Sequence, residues 1–368
     1  MKTIHLVYNH GPRISCPDAI GRNLALRLRE RYHVRLHDWT DFHAIVPGPN
    51  DILLGHPHPM PWTCFRRSLR RRGWRRIIIM SPYNHDKFQV AFIDPLIRRS
   101  DRYLAITGNY WFSSIGSSIF AHWLPKMIHL DLAVDRNDFP PIKKQFNPPG
   151  GRRFVYIGGC FSGKNVSYLT EVAHLLKGET EIAWAGHGRT GITGLHPLGF
   201  VDFSTVSGRE TISRYDFLLT VGRADANPAT ILEAIAWGLI PVCTPQSGYT
   251  GYAGIINVPL DDAIAVAAIL RELQQRPDED LHRLQRLNWE LLDSHFSWDR
   301  FAEQVVDAIE GQASPALGPE DWKRKWMLRW ASLISPYSTI RPLNLARFAR
   351  VSLARLRREY EQDAAKAG

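Results

Sequence analysis

Short β-rich apolar runs alternate with amphipathic stretches through the first 130 residues. TIHLVY is followed by DAIGRNLALRLRERY, then VRLHDW, DILLGH, the arginine-rich CFRRSLRRRG, RRIIIM, FIDPLIRRS, YLAIT and MIHLDL. Strands separated by helices of this length join through right-handed crossovers into a mostly parallel sheet, so this half is predicted to be α/β. Residues 136–152, RNDFPPIKKQFNPPGGR, carry four prolines and two glycines with little apolar periodicity, the composition of an interdomain linker. A second alternating series follows: RFVYIGG, NVSYLTEVAHLLK, EIAWAG, LGFV, YDFLLTV, ATILEAIAWG and LIPVCT. From about residue 260 the pattern is wholly helical, ending in the basic stretch LNLARFARVSLARLRREYEQ. The pattern does not decide whether these last helices cover the second domain or return to brace the first. The predicted division is 1–140, a linker at 141–152, 153–312, and a basic helical extension at 313–368. Two doubly wound sheets in tandem place a ligand cleft between the carboxyl ends of their strands.

Composition narrows the class without naming a function. At 368 residues, 44% hydrophobic and 22% charged, the chain is an ordinary globular protein with room for two domains. No apolar run approaches the length of a spanning helix, and MKTIHLVYNHGP lacks the form of a signal peptide. The four cysteines, Cys16, Cys64, Cys160 and Cys243, share no C-x-x-C spacing, which suggests neither a zinc site nor a disulfide framework and predicts a cytoplasmic setting. A net charge of +10 implies an anionic partner.

The chemistry concentrates in Asp225-Ala-Asn-Pro-Ala-Thr-Ile-Leu-Glu233. The strand YDFLLTV feeds this loop, and a helix is expected to begin near Pro228, a residue tolerated in a first helical turn because its missing N–H costs nothing there. Free amides at Ala229 and Thr230 then face the cleft as an anion site suited to a diphosphate. Two carboxylates eight positions apart, one before the helix and one on it, are placed to hold opposite ends of a sugar nucleotide, with Arg223 and Asn227 beside them. As bland alternatives, Asp225 is a helix-initiating loop residue, Glu233 an exposed helix acid and Lys164 a solvated loop lysine.

This segment resembles the E-x7-E region of retaining GT-B glycosyltransferases, with Asp225 in place of the first Glu and Glu233, Ala234, Ala236 and Gly238 matching the continuation. FVYIGGCFSGKN resembles the family's strand-Gly-Arg-x-x-x-x-Lys loop through Gly158 and Lys164, and IAWAGHG with LGFV resembles the next strand and turn. LAVDRNDFPP and FSWDRFAEQV resemble the segment closing the first domain and a late helix, so the likeness spans most of residues 1–310. It implies two Rossmann-like domains facing across a cleft, an acceptor domain first and a nucleotide-sugar domain second. It also implies that Lys164 contacts the donor diphosphate, Glu233 the ribose hydroxyls and Asp225 the transferred sugar. Gly159 stands where the family has Arg, which removes one diphosphate cation and leaves Arg223 as a substitute.

In the first domain, NHGPRIS resembles the family's glycine loop, with Gly11 as the match. The family's first-domain His corresponds best to His85, with His56 and His58 as competitors. No Asp-x-Asp motif stands at a strand end, so no metal or cofactor is expected beyond the nucleotide-sugar substrate, such as a UDP- or GDP-sugar. The dense run Arg66, Arg67, Arg70, Arg71, Arg72, Arg75 and Arg76, with the basic tail, points to an anionic membrane surface and a lipid-linked or glycan acceptor. It lacks the interleaved aromatics that would favour nucleic acid. The expectation is a hexosyltransferase of bacterial surface polysaccharide synthesis, cytoplasmic or peripheral on the inner membrane face. An epimerase or phosphorylase of the same fold, or an inactive binding subunit, are the alternatives.

Overall fold

In the computed structural model, residues 2–9, 16–160, 162–186, 192–312 and 314–335 are described. Gly11 and the basic stretch from 336 onward, on which two of the sequence expectations rest, lie outside them. The first sheet contains β1 (Thr3–Tyr8), β2 (His33–Asp38), β3 (Ile52–Gly55), β4 (Arg76–Pro82), β5 (Arg102–Ile106) and β6 (Met127–Leu130). Its order is β2-β1-β3-β4-β5-β6, parallel throughout. The second contains β7 (Phe154–Ile157), β8 (Ile182–Ala185), β9 (His196–Gly199), β10 (Phe217–Thr220), β11 (Ile240–Cys243) and β12 (Ile256–Asn257), ordered β12-β11-β10-β7-β8-β9 and again parallel. β3, β10 and β11 are buried at every position, which is why they read as continuous apolar runs rather than alternating ones.

The second sheet reverses its winding between β7 and β10. Crevices for ligands open at such a point, because the loops leaving two adjacent strands diverge to opposite faces. The loop after β7 carries Lys164 and the loop after β10 carries Asp225, so topology alone brings together residues 61 positions apart.

The stretch between the sheets is no free tether. The amides of Ile142 and Lys143 both donate to the Trp237 carbonyl, at 3.0 and 2.9 Å. Lys143 forms a buried ion pair with Asp216 at 2.8 Å, and Asp216 also accepts from the Asn147 amide and side chain. Buried Arg152 donates to the Arg276 carbonyl. The prolines set the backbone of this segment while its polar groups anchor it to the second domain.

The last helices return to the first domain. Trp298–Glu310 lies within the range expected for the second domain, yet it packs on the Cys16–Leu28 helix and the first sheet. Trp298, Phe301, Val305 and Ile309 share a core with Ile4, Leu6 and Leu24. The Ser297 hydroxyl caps it by accepting from the Arg300 amide. Trp322–Ile334 then buries Leu328 and Ala331 in the other core of the first domain. An amphipathic stripe states that a helix has a face to bury, and not which sheet will receive it.

Candidate active site

Lys164 ends a short 3-10 turn (Ser162–Lys164), and its ammonium contacts the Asp225 carboxylate directly, with both side chains partly exposed. The loops that carry them are locked together, since the amides of Arg223 and Ala224 donate to the Gly163 carbonyl, at 2.9 and 3.4 Å. The Asp225 amide donates to the Gln246 carbonyl at 3.1 Å, fixing the third loop of the group, the one after β11. Gly158, at φ +152°, leaves β7 with its amide on the Ala185 carbonyl and its own carbonyl accepting from Trp184 Nε1 at 2.8 Å.

The expected helix forms as Ala229–Trp237, with Pro228 extended at the position before it and no side chain capping its first turn. Half-buried Ala229 and Thr230 therefore begin a helix with uncapped amides, and Glu233 stands one turn further in. Burial pushes the Glu233 carboxyl up to about 7, and the nearby Lys164 ammonium partly offsets it. Asn227 is buried, its carbonyl oxygen accepting from the Tyr249 hydroxyl. Arg223 is exposed and lines a hollow together with Asn165, Tyr168, Glu171 and Asp261.

Sequence reasoning missed Cys16. It opens the first helix of the first domain, and its thiol is pushed up to about 12, by burial first and then by the charges of Glu233 and Asp225. A single cysteine distant from any motif offered no signal for this.

Across the cleft the domains touch through main chain. The Gly108 amide donates to the Ala226 carbonyl at 2.7 Å, Trp111 Nε1 to the Asp225 carbonyl at 2.7 Å, and Asn84 Nδ2 to the Ala224 carbonyl at 2.9 Å. His85 lies beside this contact, half-buried. Its Nε2 lies 3.2 Å from the Trp111 carbonyl, its ring packs on Trp111, and burial holds its pKa below the usual value. His56 is buried against Tyr8 and Trp39, and burial lowers it to about 3, so it is neutral.

Of the arginine run, Arg66 donates to the Pro59 carbonyl at 2.6 Å and Arg76 to the Gly311 carbonyl, both half-buried, while Arg67, Arg70, Arg71, Arg72 and Arg75 are exposed.

No family model matches the chain, and no curated protein matches it in sequence. Solved structures do resemble it. The chain aligns with sucrose-phosphate synthase from Thermosynechococcus elongatus at 14% identity and a TM-score of 0.60, over 83% of this chain and 98% of that one. WaaG, a glycosyltransferase involved in lipopolysaccharide biosynthesis, aligns at 14% identity and 0.54, over 84% and 100%. TarM aligns at 11% and 0.55 over 71% of this chain, which spans little more than half of TarM's length (55%). Two parallel six-stranded sheets, each packed with helices, give this chain the two-domain GT-B fold of these glycosyltransferases.

Proposed function

We propose that the chain is a glycosyltransferase that takes a sugar from a nucleotide-sugar donor, with retention of configuration, and passes it to a glycan or lipid-linked acceptor in surface polysaccharide synthesis. The observation that carries this reading is the meeting of Lys164 and Asp225 at the winding reversal of the second sheet, beside half-buried Glu233 and the uncapped start of Ala229–Trp237. Lys164 is a compact charge suited to a diphosphate, and the helix amides add a directed positive potential. Lys164 is paired with Asp225. A donor would divide the pair, its diphosphate taking Lys164 and its sugar hydroxyls Asp225, while Glu233 accepts from the ribose. Charge grows on the leaving diphosphate during transfer, and Lys164 and the amides offset it there. Among the similar structures, a TarM variant is a complex with UDP, which favours a nucleoside diphosphate here.

The acceptor side rests on surface chemistry. On Trp322–Ile334 the face opposite Leu328 and Ala331 exposes Trp322, Trp326, Trp330 and Leu333, each at least half exposed, flanked by Lys323, Lys325 and Arg329. Tryptophan rings between basic side chains suit the headgroup layer of an anionic bilayer, where a lipid-linked acceptor waits. No described helix is long and apolar enough to cross a membrane.

A thermal-shift panel of UDP-, GDP-, ADP- and CMP-sugars tests the donor, because a ligand that binds only the folded state raises Tm. One nucleotide class should shift the wild type, and Glu233→Ala should weaken its binding by an order of magnitude or more, the loss of a charged acceptor worth about 1.5–3 kcal/mol. A folded protein that binds none of them overturns the proposed nucleotide-sugar donor.

A further inference from the structure

Three side chains far apart in sequence converge on the face of the first sheet opposite the Cys16–Leu28 helix. His37 lies near the end of edge strand β2, His43 in the loop that follows, and Cys64 at the start of the Cys64–Ser68 helix. One ligand atom from each lies within 4.8 Å of the others. His37 Nδ1 is 3.2 Å from His43 Nε2, which is 3.8 Å from Cys64 Sγ. A tetrahedral zinc, with Zn–N near 2.0–2.1 Å and Zn–S near 2.3 Å, holds two nitrogens about 3.3 Å apart and a nitrogen and sulfur about 3.6 Å apart. The side chains already stand close to that spacing. Half-exposed His43 is free to make the final adjustment.

The rear of the cluster is ordered by buried groups. His5 Nδ1 is 3.0 Å from His37 Nε2, and His5 Nε2 is 3.0 Å from Asp51 Oδ2, a carboxylate that also accepts from the Gly48 amide. His5 is 2% exposed. With the Asp51 carboxylate accepting His5 Nε2–H, His5 Nδ1 accepts His37 Nε2–H, and His37 presents Nδ1 to His43 and Cys64. A carboxylate-imidazole chain that fixes the tautomer of a ligating histidine is what a metal site requires behind its ligands. On the other side, Asp41 Oδ2 lies 3.8 Å from His43 Nδ1, and the Asp41 carbonyl accepts from the Cys64 amide. Arg67, on the same short helix as Cys64, donates from its guanidinium to the Phe42 carbonyl.

We propose that His37, His43 and Cys64 bind one zinc-class transition-metal ion through two imidazole nitrogens and a thiolate, with solvent in the fourth position. Cys64 gives up its proton to solvent on binding. One thiolate with two imidazoles selects zinc-like ions over calcium or magnesium, which prefer oxygen ligands. The ion would tie edge strand β2, the 39–45 loop and the helix that begins the arginine run into one unit. The site shares no residue with the donor pocket, so it stands or falls independently of the proposed transfer.

The test uses untagged full-length protein, stripped with a chelator and titrated with Co²⁺. A tetrahedral site with one thiolate should give visible d–d bands and a near-ultraviolet sulfur-to-cobalt charge-transfer band, saturating at one equivalent and bleached by Zn²⁺. Cys64→Ser should abolish the charge-transfer band, and His43→Ala, at an exposed position, should weaken binding at least tenfold. Cys160→Ser should change neither. Circular dichroism checks folding, and if Cys64→Ser is unfolded the His43→Ala titration decides. Absence of the charge-transfer band in folded wild type, or its persistence at full affinity in both variants, overturns the proposal.

Discussion

At the scale of single residues, Glu233 couples the site to pH. Its folded carboxyl titrates near 7, against an ordinary value of 4.5, because burial opposes its charge. The unfolded chain therefore releases this proton first. As pH rises from about 4.5 to 7 the unfolded state gains over the folded one, and above 7 the penalty is complete. Glutamine is neutral at every pH, so ligand-free Glu233→Gln should melt higher than wild type at pH 8 and alongside it near pH 4.5. A Tm difference that does not change with pH would refute burial as the cause. Lys164 acts through the leaving group instead. Lys164→Ala should lower kcat far more than Tm, since its ion pair with Asp225 is partly exposed and contributes little to stability. Steady-state kinetics beside thermal melts separates the two effects, and unchanged kcat removes Lys164 from the reaction.

At the scale of elements, the cleft is held by close approach of two glycine loops. A Cβ on Gly108 would stand 2.0 Å from the Gly248 carbonyl oxygen, and Gly248 itself sits at φ +97° with its Cβ position 2.6 Å from the Ala226 carbonyl. Backbone meets backbone there, and no flexible side chain is present to yield. Gly108→Ala should part the domains, lowering Tm and raising the radius of gyration in small-angle scattering. Gly116→Ala, with open space around the new methyl, should do neither. The Trp322–Ile334 helix shows a second consequence of element placement. With Leu328 and Ala331 turned inward, helical spacing forces Trp322, Trp326 and Trp330 outward. Replacing the three tryptophans by Ser should abolish cosedimentation with anionic vesicles. Changing Arg67, Arg70 and Arg71 to Ser should weaken it and steepen its loss with salt. Binding that survives the tryptophan changes would assign the contact to another surface.

At the scale of the whole molecule, the chain crosses between domains twice, once through 131–153 and once through the helices that return after 294. Lys143 and Asp216 anchor the first crossing at 3% and 0% side-chain exposure. Lys143→Met leaves a buried carboxylate without its cation and should cost about 3–5 kcal/mol, read from denaturant unfolding. A cost below 1 kcal/mol would mean that the amides of Asn147 and Arg153, which also donate to Asp216, suffice to hold its charge. The second crossing closes with Lys2 and Tyr32 both donating to Glu310, joining the end of Trp298–Glu310 to the first strand and helix of the fold.

The sequence by itself determined the alternation of strand and helix, and with it two parallel sheets, because buried strands and amphipathic helices carry their periods locally. Asp225 and Glu233 stand at a fixed offset on a loop and the proline-led helix it feeds, a local arrangement, whereas Lys164 meets Asp225 across 61 positions only through the order of the strands. Tertiary structure alone decided the rest. Asn84 and Trp111 of the first domain meet the Ala224 and Asp225 carbonyls because loops from two domains come together there, and sequence spacing does not encode that distance. Trp298–Glu310 crossed to the first sheet because an apolar stripe fits any complementary face. His37, His43 and Cys64 came together only when parallel pairing set β2 beside β1 and folded the next loop over both.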